Sequence, residues 1–577
     1  MAHSIGRRRL RGGPALAVVL AAAAVAGIAL SACGPSPSKA AKPKANPDVL
    51  LVGTYQGDKG GFSTIQGAVN HAKPGDWILI APGDYHEDDD HLHPPTAAEA
   101  GVGDMGGVLI TTPNIHLRGM NRSTVIVDGT KAGAPKPCDS SAAWQDYGAT
   151  GADGKAYGRD GILIWKADNV SVDNLTICNF LSGTGASGNE VWWNGGDGSA
   201  KIGLKGYWGY YLTATDSFYQ NETTAPAYGI FSSNSAGPGN WNYLYANNFN
   251  DSGMYVGACQ QACDMTIDHA WMENDALGYS GTNSGGQIII ENSQFDDNED
   301  GLDTNTQING DPPAPQNGDC PTTTPSNITQ THSCWVFVDN YVHNNNNDST
   351  PKAGSAAAGP TGTGMTISGG TNDTVMNNKF ENNGAWGILF VPYPDMSPPQ
   401  DHQTCSGTGG VEEAIFGCVY DPKDDALIDN TFVHDGYFGN PSNSDFGQIT
   451  LFGGQPGNCY SGNVAPQGSS PADLEKAQPK CGVTTQTSNT GGPLFNQVLC
   501  DTGFGACPAG AKYPMSKKVV LTSVPKNLPT MPNPCSGVPT NPWCPGKGSG
   551  YSMPARSPQA PVRTRGTTSA AWRRVAV

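Results

Sequence analysis

Between Gly206 and Pro351 the chain has 17 acidic residues and no Lys or Arg. Binding a phosphate backbone requires clustered cations to neutralise it, so this stretch argues against nucleic acid as a partner. The shortage is general. The formal net charge is −18, and removing the four arginines before residue 33 leaves 29 basic against 51 acidic residues, or −22. Acid is absent in its turn from Lys512 onward, where ten Lys/Arg stand without an Asp or Glu, so the body up to residue 511 has 19 basic against 51 acidic residues, or −32. Such a tail suits an anionic lipid or wall polymer, or remains disordered without a partner.

Long apolar runs are also missing. Ala15 to Leu30 is an Ala-rich stretch of about 16 residues, short of the roughly 20 that span a bilayer. Arg7, Arg8, Arg9 and Arg11 precede it, and Leu30-Ser31-Ala32-Cys33 followed by Gly34 resembles a bacterial lipoprotein signal-peptidase box. Residues 1–32 are thus expected to be removed on export and Cys33 to carry the lipid on the outer face of the cytoplasmic membrane. The Pro/Ala/Lys-rich residues 33–49 form a tether. The other fourteen cysteines include near neighbours: Cys259 with Cys263, Cys320 with Cys334, Cys405 with Cys418, Cys500 with Cys507 and Cys535 with Cys544. In an oxidising compartment these read as disulfides. No second Cys/His pair stands at zinc-finger spacing from Cys259 and Cys263, which argues against zinc.

What is present is a degenerate repeat: a short apolar run, an Asp/Asn pair, a large apolar residue, an Asn-rich turn, then Gly and another apolar run. Ile288-Ile289-Ile290 precedes Asn292 and Phe295, Val336-Phe337-Val338 precedes Asn340 and Val342, and Val375-Met376 precedes Asn378 and Phe380. Phe249, Met272 and Phe295 are 23 residues apart. A fixed period in this range marks a solenoid. The runs are too short for helices, and leucine-rich repeats are excluded because Leu does not recur at fixed offsets. Strands that stack rung on rung remain, with corner asparagines able to bond one above another. The runs Asn344 to Asn347, Asn377-Asn378 and Asn382-Asn383 are read as such ladders.

Phe62-Ser63-Thr64-Ile65-Gln66-Gly67-Ala68-Val69, Ala72, Pro74-Gly75-Asp76 and Pro82-Gly83-Asp84-Tyr85 resemble the entry cap of pectate-lyase-like right-handed parallel β-helices. Ile65, Ala68, Val69 and Ala72 lie at i, i+3, i+4 and i+7, one apolar face of a short plug helix. The resemblance implies an all-β fold: a right-handed parallel β-helix over residues 50–455, with an N-terminal capping helix and disulfide-bearing insertions. Residues 456–511 would cover its C-terminal end, with Val519-Val520-Leu521 as a last strand, and 512–577 would be a mostly disordered tail. Insertions at 306–333, 345–363 and 393–424 would wall a groove. The resemblance also implies polysaccharide chemistry, in which an Arg or Lys takes a proton beside a uronate. The cation gap ranks a lyase or epimerase below a hydrolase, although bound Ca²⁺ could replace the missing charge. Gly301-Leu302-Asp303 is similar to the Asp-bearing strands of polygalacturonases, whose His-Gly and Arg-x-Lys motifs are absent.

Two candidate sites follow. Asp296, Asp297, Glu299, Asp300 and Asp303 crowd one stretch: Asp296, Asp297, Asp300 and Asp303 offer oxygens to Ca²⁺, while Asp297, Asp300 and Asp303, with His269, offer acid and base for glycoside hydrolysis. EF-hand spacing is not met, and a solvated acidic turn is the competing reading. Aromatics supply the second: Trp193, Trp208 and Tyr210, with Glu190, suit a sugar-binding groove, although alternation sends about half such rings into the core. The chain is expected to be a monomer that binds a polysaccharide. Either it cleaves it, with two carboxylates converging, or it is a non-catalytic binder of glycans or proteins.

Overall fold

The structure is a computed structural model and describes residues 47–87, 106–150, 154–197, 199, 201–259, 262–282, 284–305, 335–354, 356–395, 405, 410–413, 417–451, 457–478 and 492–546. Three long sheets run the length of the solenoid, and every neighbouring pair of strands within them is parallel. One rung shows the plan: Ile288–Glu291 lies in sheet 1, Gln294–Asp296 in sheet 2 and Asp300–Asn305 in sheet 3. This is the all-β parallel β-helix expected from the repeat. Its core is one continuous column of inward residues such as Ile267, Met272, Ile290, Phe295, Leu302 and Phe337.

The Asp/Asn pairs of the repeat divide their work. The first member turns the chain with positive φ: Asp339 (55°), Asn377 (56°) and Asp429 (52°) between sheets 1 and 2, and Asp297 (54°), Asn344 (56°) and Asn382 (57°) between sheets 2 and 3. Asn and Asp tolerate this region better than other non-glycine residues. The second member points inward and joins a ladder. Between sheets 1 and 2, Ser293, Asn340, Asn378, Asn430 and Asn463 bond in sequence, each side-chain oxygen accepting the backbone N–H of the previous rung. Between sheets 2 and 3, the ladder is Asp275, Asn298, Asn345, Asn383 and Asp435.

The plug helix is Ile65–Val69. Thr64 Oγ1 accepts from Gly67 N at 3.2 Å, and the Glu87 carboxylate takes the N–H groups of Ile65 and Gln66 at 2.7 and 3.0 Å. Four of the anticipated disulfides form, Cys259–Cys263, Cys405–Cys418, Cys500–Cys507 and Cys535–Cys544, along with Cys138–Cys178. Cys33 and the pair Cys320 and Cys334 lie outside the described residues.

The described part of the basic tail departs from expectation, while residues 547–577 lie outside the described residues. Residues 512–546 run back along the solenoid as an extended strap. Val520 O accepts from Asn274, Thr522 O from Asn247 and Asn248, Pro529 O from Arg122, and Pro534 O and Ser536 O from Arg118. Val519-Val520-Leu521 therefore forms no strand. On the β-helix, buried Arg118 bonds Asp173 and buried Arg122 bonds Thr213 Oγ1 and Leu212 O; the strap's carbonyls take the donors on their remaining Nη1 groups.

Candidate active site

Sheet 3 carries a pattern written in the sequence as Gly-apolar-X. In Gly161-Ile162-Leu163, Gly229-Ile230-Phe231, Gly253-Met254-Tyr255, Gly278-Tyr279-Ser280, Gly301-Leu302-Asp303, Gly364-Met365-Thr366 and Gly387-Ile388-Leu389, the middle residue is buried in the solenoid core. Side chains alternate along a strand, so X faces outward. The Gly position is crowded: at Gly253 a Cβ would lie 2.2 Å from Asp275 Oδ2, and at Gly278 2.5 Å from Gly301 O on the next strand. The register joins X from rung to rung: Leu163, Trp192, Phe231, Tyr255, Ser280, Asp303, Thr366, Leu389.

Large residues fill this row at both ends. Trp192 stacks on Phe231 with centroids 4.8 Å apart, Tyr255 lies tilted against Phe231 at 4.8 Å, and Tyr228 stacks on Tyr255 at 5.1 Å. The row then drops to Ser280, Asp303 and Thr366 before Leu389. The result is a notch about 14 Å long, three rungs at about 4.8 Å each. Its six neighbouring strands, Asn189–Asn194 to Thr363–Ser368, contain no Lys or Arg.

Carboxyl groups line the notch. Asp303 Oδ1 accepts from Thr366 Oγ1 and Ser368 Oγ, both at 2.5 Å. Thr366 Oγ1 also lies 3.2 Å from Asp300 Oδ2. A hydroxyl has one proton to give. Burial holds fully enclosed Asp300 well above the usual carboxylate range, and the Asp303 charge adds to it. Burial raises Asp303 too, against the hydrogen bonds from Ser368 and Thr366, so Asp300 and Asp303 both favour a proton and Thr366 Oγ1 lies between them. Asp251 stands nearer the rings: its Oδ2 accepts from Tyr228 at 3.2 Å and its Oδ1 from Ser252 at 2.7 Å. Burial pushes it up to about 6, with the Asp303 charge contributing.

The raised carboxyls give a stability prediction. Burial lifts Asp216 and Asp435 to about 8 and Asp251 and Asp445 to about 6, all above their unfolded values. The folded chain then binds more protons than the unfolded one, so stability is greatest below about pH 4 for these groups and falls as pH rises to 8. Thermal midpoints should be higher at pH 5 than at pH 8; a midpoint that rises over this interval contradicts the assignment.

The structure disperses the acidic cluster. Asp296 faces outward from sheet 2, where Trp271 Nε1 bonds to it at 2.7 Å and His343 Nε2 lies 3.9 Å away. Asp297 occupies the exposed corner, and Glu299 pairs with Lys352 behind it. Asp296, Asp297, Asp300 and Asp303 thus fail as a common Ca²⁺ set, because the two corner residues divide them between faces. Among the described residues, metal-type clusters occur only at Asp84, His86 and Asp128, and at Asp128 with the disulfide sulfurs of Cys138 and Cys178. Neither involves the notch.

His269 sits on the corner between sheets 1 and 2, stacked on Tyr243 at 4.7 Å, with Nδ1 2.6 Å from Asp268 Oδ1. That corner lies opposite sheet 3, so His269 does not join Asp303. Trp193 is fully buried in the core, its Nε1 donating to Val170 O at 3.1 Å. Its neighbour Trp192 faces outward instead. Trp208 and Tyr210 face outward from sheet 1, both almost fully buried, and Tyr210 lines a 320 Å³ cavity under the strap with Arg118 and Met531. Glu190 occupies the Gly position of its rung and is fully buried, accepting from Phe180 N at 3.3 Å. None of these four belongs to the notch. Tyr228, Asp251, Tyr255, Ser280, Thr366 and Ser368 do, and of the acidic cluster read from the sequence only Asp300 and Asp303 join them.

No family model and no curated protein matches the chain. Solved structures similar in overall winding include the A-module of mannuronan C-5 epimerase AlgE4 from Azotobacter vinelandii, at 12% identity and TM-score 0.40, covering 70% of this chain and 92% of that one. An alginate lyase from Paenibacillus sp. str. FPU-7 matches at 12% identity and TM-score 0.34, covering 74% and 96%. A GH136 lacto-N-biosidase from Eubacterium ramulus matches at 11% identity and TM-score 0.36, covering 73% and 65%.

Proposed function

We propose that the notch on sheet 3 binds a polysaccharide and cleaves it by carboxylate-based hydrolysis. The observation that carries this reading is the break in the outward row, where Tyr255 gives way to Ser280, Asp303 and Thr366. There an aromatic ring adjoins two carboxyl groups of different proton affinity. Tyr255 and Tyr228 stack against a sugar face. Asp251, protonated below about pH 6, serves as the general acid. Asp303, steadied by two hydroxyls, acts as base or nucleophile, and Asp300 positions it through Thr366. An acidic notch whose strands carry no Lys or Arg favours a neutral chain over a polyuronate. Export, lipid attachment at Cys33 and a monomeric state complete the proposal.

The test is a polysaccharide panel read for new reducing ends and for the ultraviolet absorbance of an unsaturated product. Reducing ends alone support hydrolysis; added absorbance overturns it in favour of elimination. Ser280→Leu gives the matching control. Leu stands at this offset in the rungs of Leu163 and Leu389, and at Ser280 its side chain fills the notch. Ser280 is almost fully buried, so some overpacking cost of about 1 to 3 kcal/mol is expected; cleavage and retention on the polysaccharide should both disappear while the chain still melts cooperatively.

A further inference from the structure

The notch is closed on several sides. Its far end meets Leu389 and Trp386, and over these lies the helix Gly492–Asp501. Leu494 of that helix is buried against Trp386, Leu389 and Ile449, and a Cβ on Gly447 would sit 3.1 Å from Leu494 Cδ2. The helix is fastened in place: Gln497 Oε1 accepts from Ser442 N at 3.2 Å, and the Cys500–Cys507 disulfide ties down its C-terminal end.

The near end is closed by the rings of Trp192, Phe231 and Tyr255. Phe231 and Trp192 are almost fully buried, leaving Tyr255 as the half-buried ring that faces the notch. A side wall comes from residues 353, 354 and 356–362. Ala356 packs on Ala276 and Leu277, and a Cβ on Gly359 would lie 3.3 Å from Asp300 Cβ. This wall is pinned by Ala353 N to Asn250 O at 2.7 Å and Gly362 N to Glu299 O at 3.1 Å.

A groove that cleaves within a chain must let the polymer leave in both directions along the solenoid axis. This one ends against a helix after three rungs, about 14 Å, along which Asp303 is half-buried while Ser280 and Thr366 are almost fully buried. We infer that the notch takes the end of a polysaccharide chain, or a short branch, rather than an internal stretch. The inference rests on the reading of sheet 3 as a polysaccharide site and adds the point of attack. A terminal sugar would bear on the Leu389 wall, while the rest of the chain leaves over the half-buried edge of Tyr228 and Tyr255.

The full-length protein distinguishes the outcomes. It is incubated with a β-glucan, a xylan, a galactomannan and an alginate, and viscosity, reducing ends and product sizes are followed on one time course. Chain-end attack releases one short product while viscosity holds. Early collapse of viscosity with a broad ladder of sizes overturns the inference and leaves the polysaccharide site standing. No product and no retention on any of the four overturns the site itself, and the inference with it.

Discussion

Asp303→Asn lowers polysaccharide turnover by about 10² to 10⁴, the usual contribution of a positioned acid or base, and leaves the melting temperature near that of the native chain. The side chain keeps an oxygen where Oδ1 stood, so Thr366 and Ser368 retain their acceptor and the strand Asp300–Asn305 keeps its outer packing. What disappears is the charge facing the notch. Asp300 separates the chemistry from the scaffold. It reaches the site only through Thr366 Oγ1, and the amide of Asp300→Asn offers that hydroxyl either an acceptor or a donor, so that variant keeps most of its activity. Asp300→Ala removes this partner, leaves Thr366 free to turn from Asp303, and lowers kcat more than KM. Initial rates and thermal melts on the three variants decide the matter. Native turnover in Asp303→Asn removes Asp303 from the mechanism, and equal losses in both Asn variants remove the relay.

The fold was legible because its signals are local and repeated. Each rung states its own turn, its Asp/Asn pair and its inward residue, and the plug helix carries its apolar face within eight residues. The site was only half legible. Asp303 stood out as an acid, but its companions come from other rungs, Tyr255 two earlier and Thr366 one later. The connections that set their register vary from a few residues to an insertion of about thirty. Parity decided the tryptophans: a shift of one position exchanges the faces of a strand, so Trp193 is core and Trp192 outer surface. The Gly-apolar-X frame would have placed both, but Glu190 holds the Gly position in that rung and conceals it. The strap was not legible, since a Pro-rich basic segment reads as disordered whether or not buried arginines await its carbonyls.

The corner ladders carry the second large effect, and two adjacent asparagines show it. Asn378 is buried; its Nδ2 donates to Phe337 O at 2.9 Å and to Asn430 Oδ1 at 3.0 Å, while its Oδ1 accepts from Asn340 N at 2.9 Å. Asn378→Ala strips partners from the rungs on both sides and leaves the Asn340 N–H enclosed without an acceptor. An orphaned buried group costs roughly 1 to 3 kcal/mol, and more than one is affected here, so a loss of about 2 to 5 kcal/mol is expected. Asn377, one residue earlier, is exposed and serves the turn through its φ of 56°. Glycine adopts that conformation without strain, so Asn377→Gly changes stability by less than about 1 kcal/mol. Because each rung contacts only its neighbours, the damage in Asn378→Ala is local, and amide exchange rises first in the strands Trp335–Val338 and Ala426–Ile428 on either side. Urea midpoints that fall equally in the two variants contradict this division of labour. A drop confined to Asn378→Ala shows that the paired Asn of each repeat encodes two separate instructions, one for turning the chain and one for holding successive turns together.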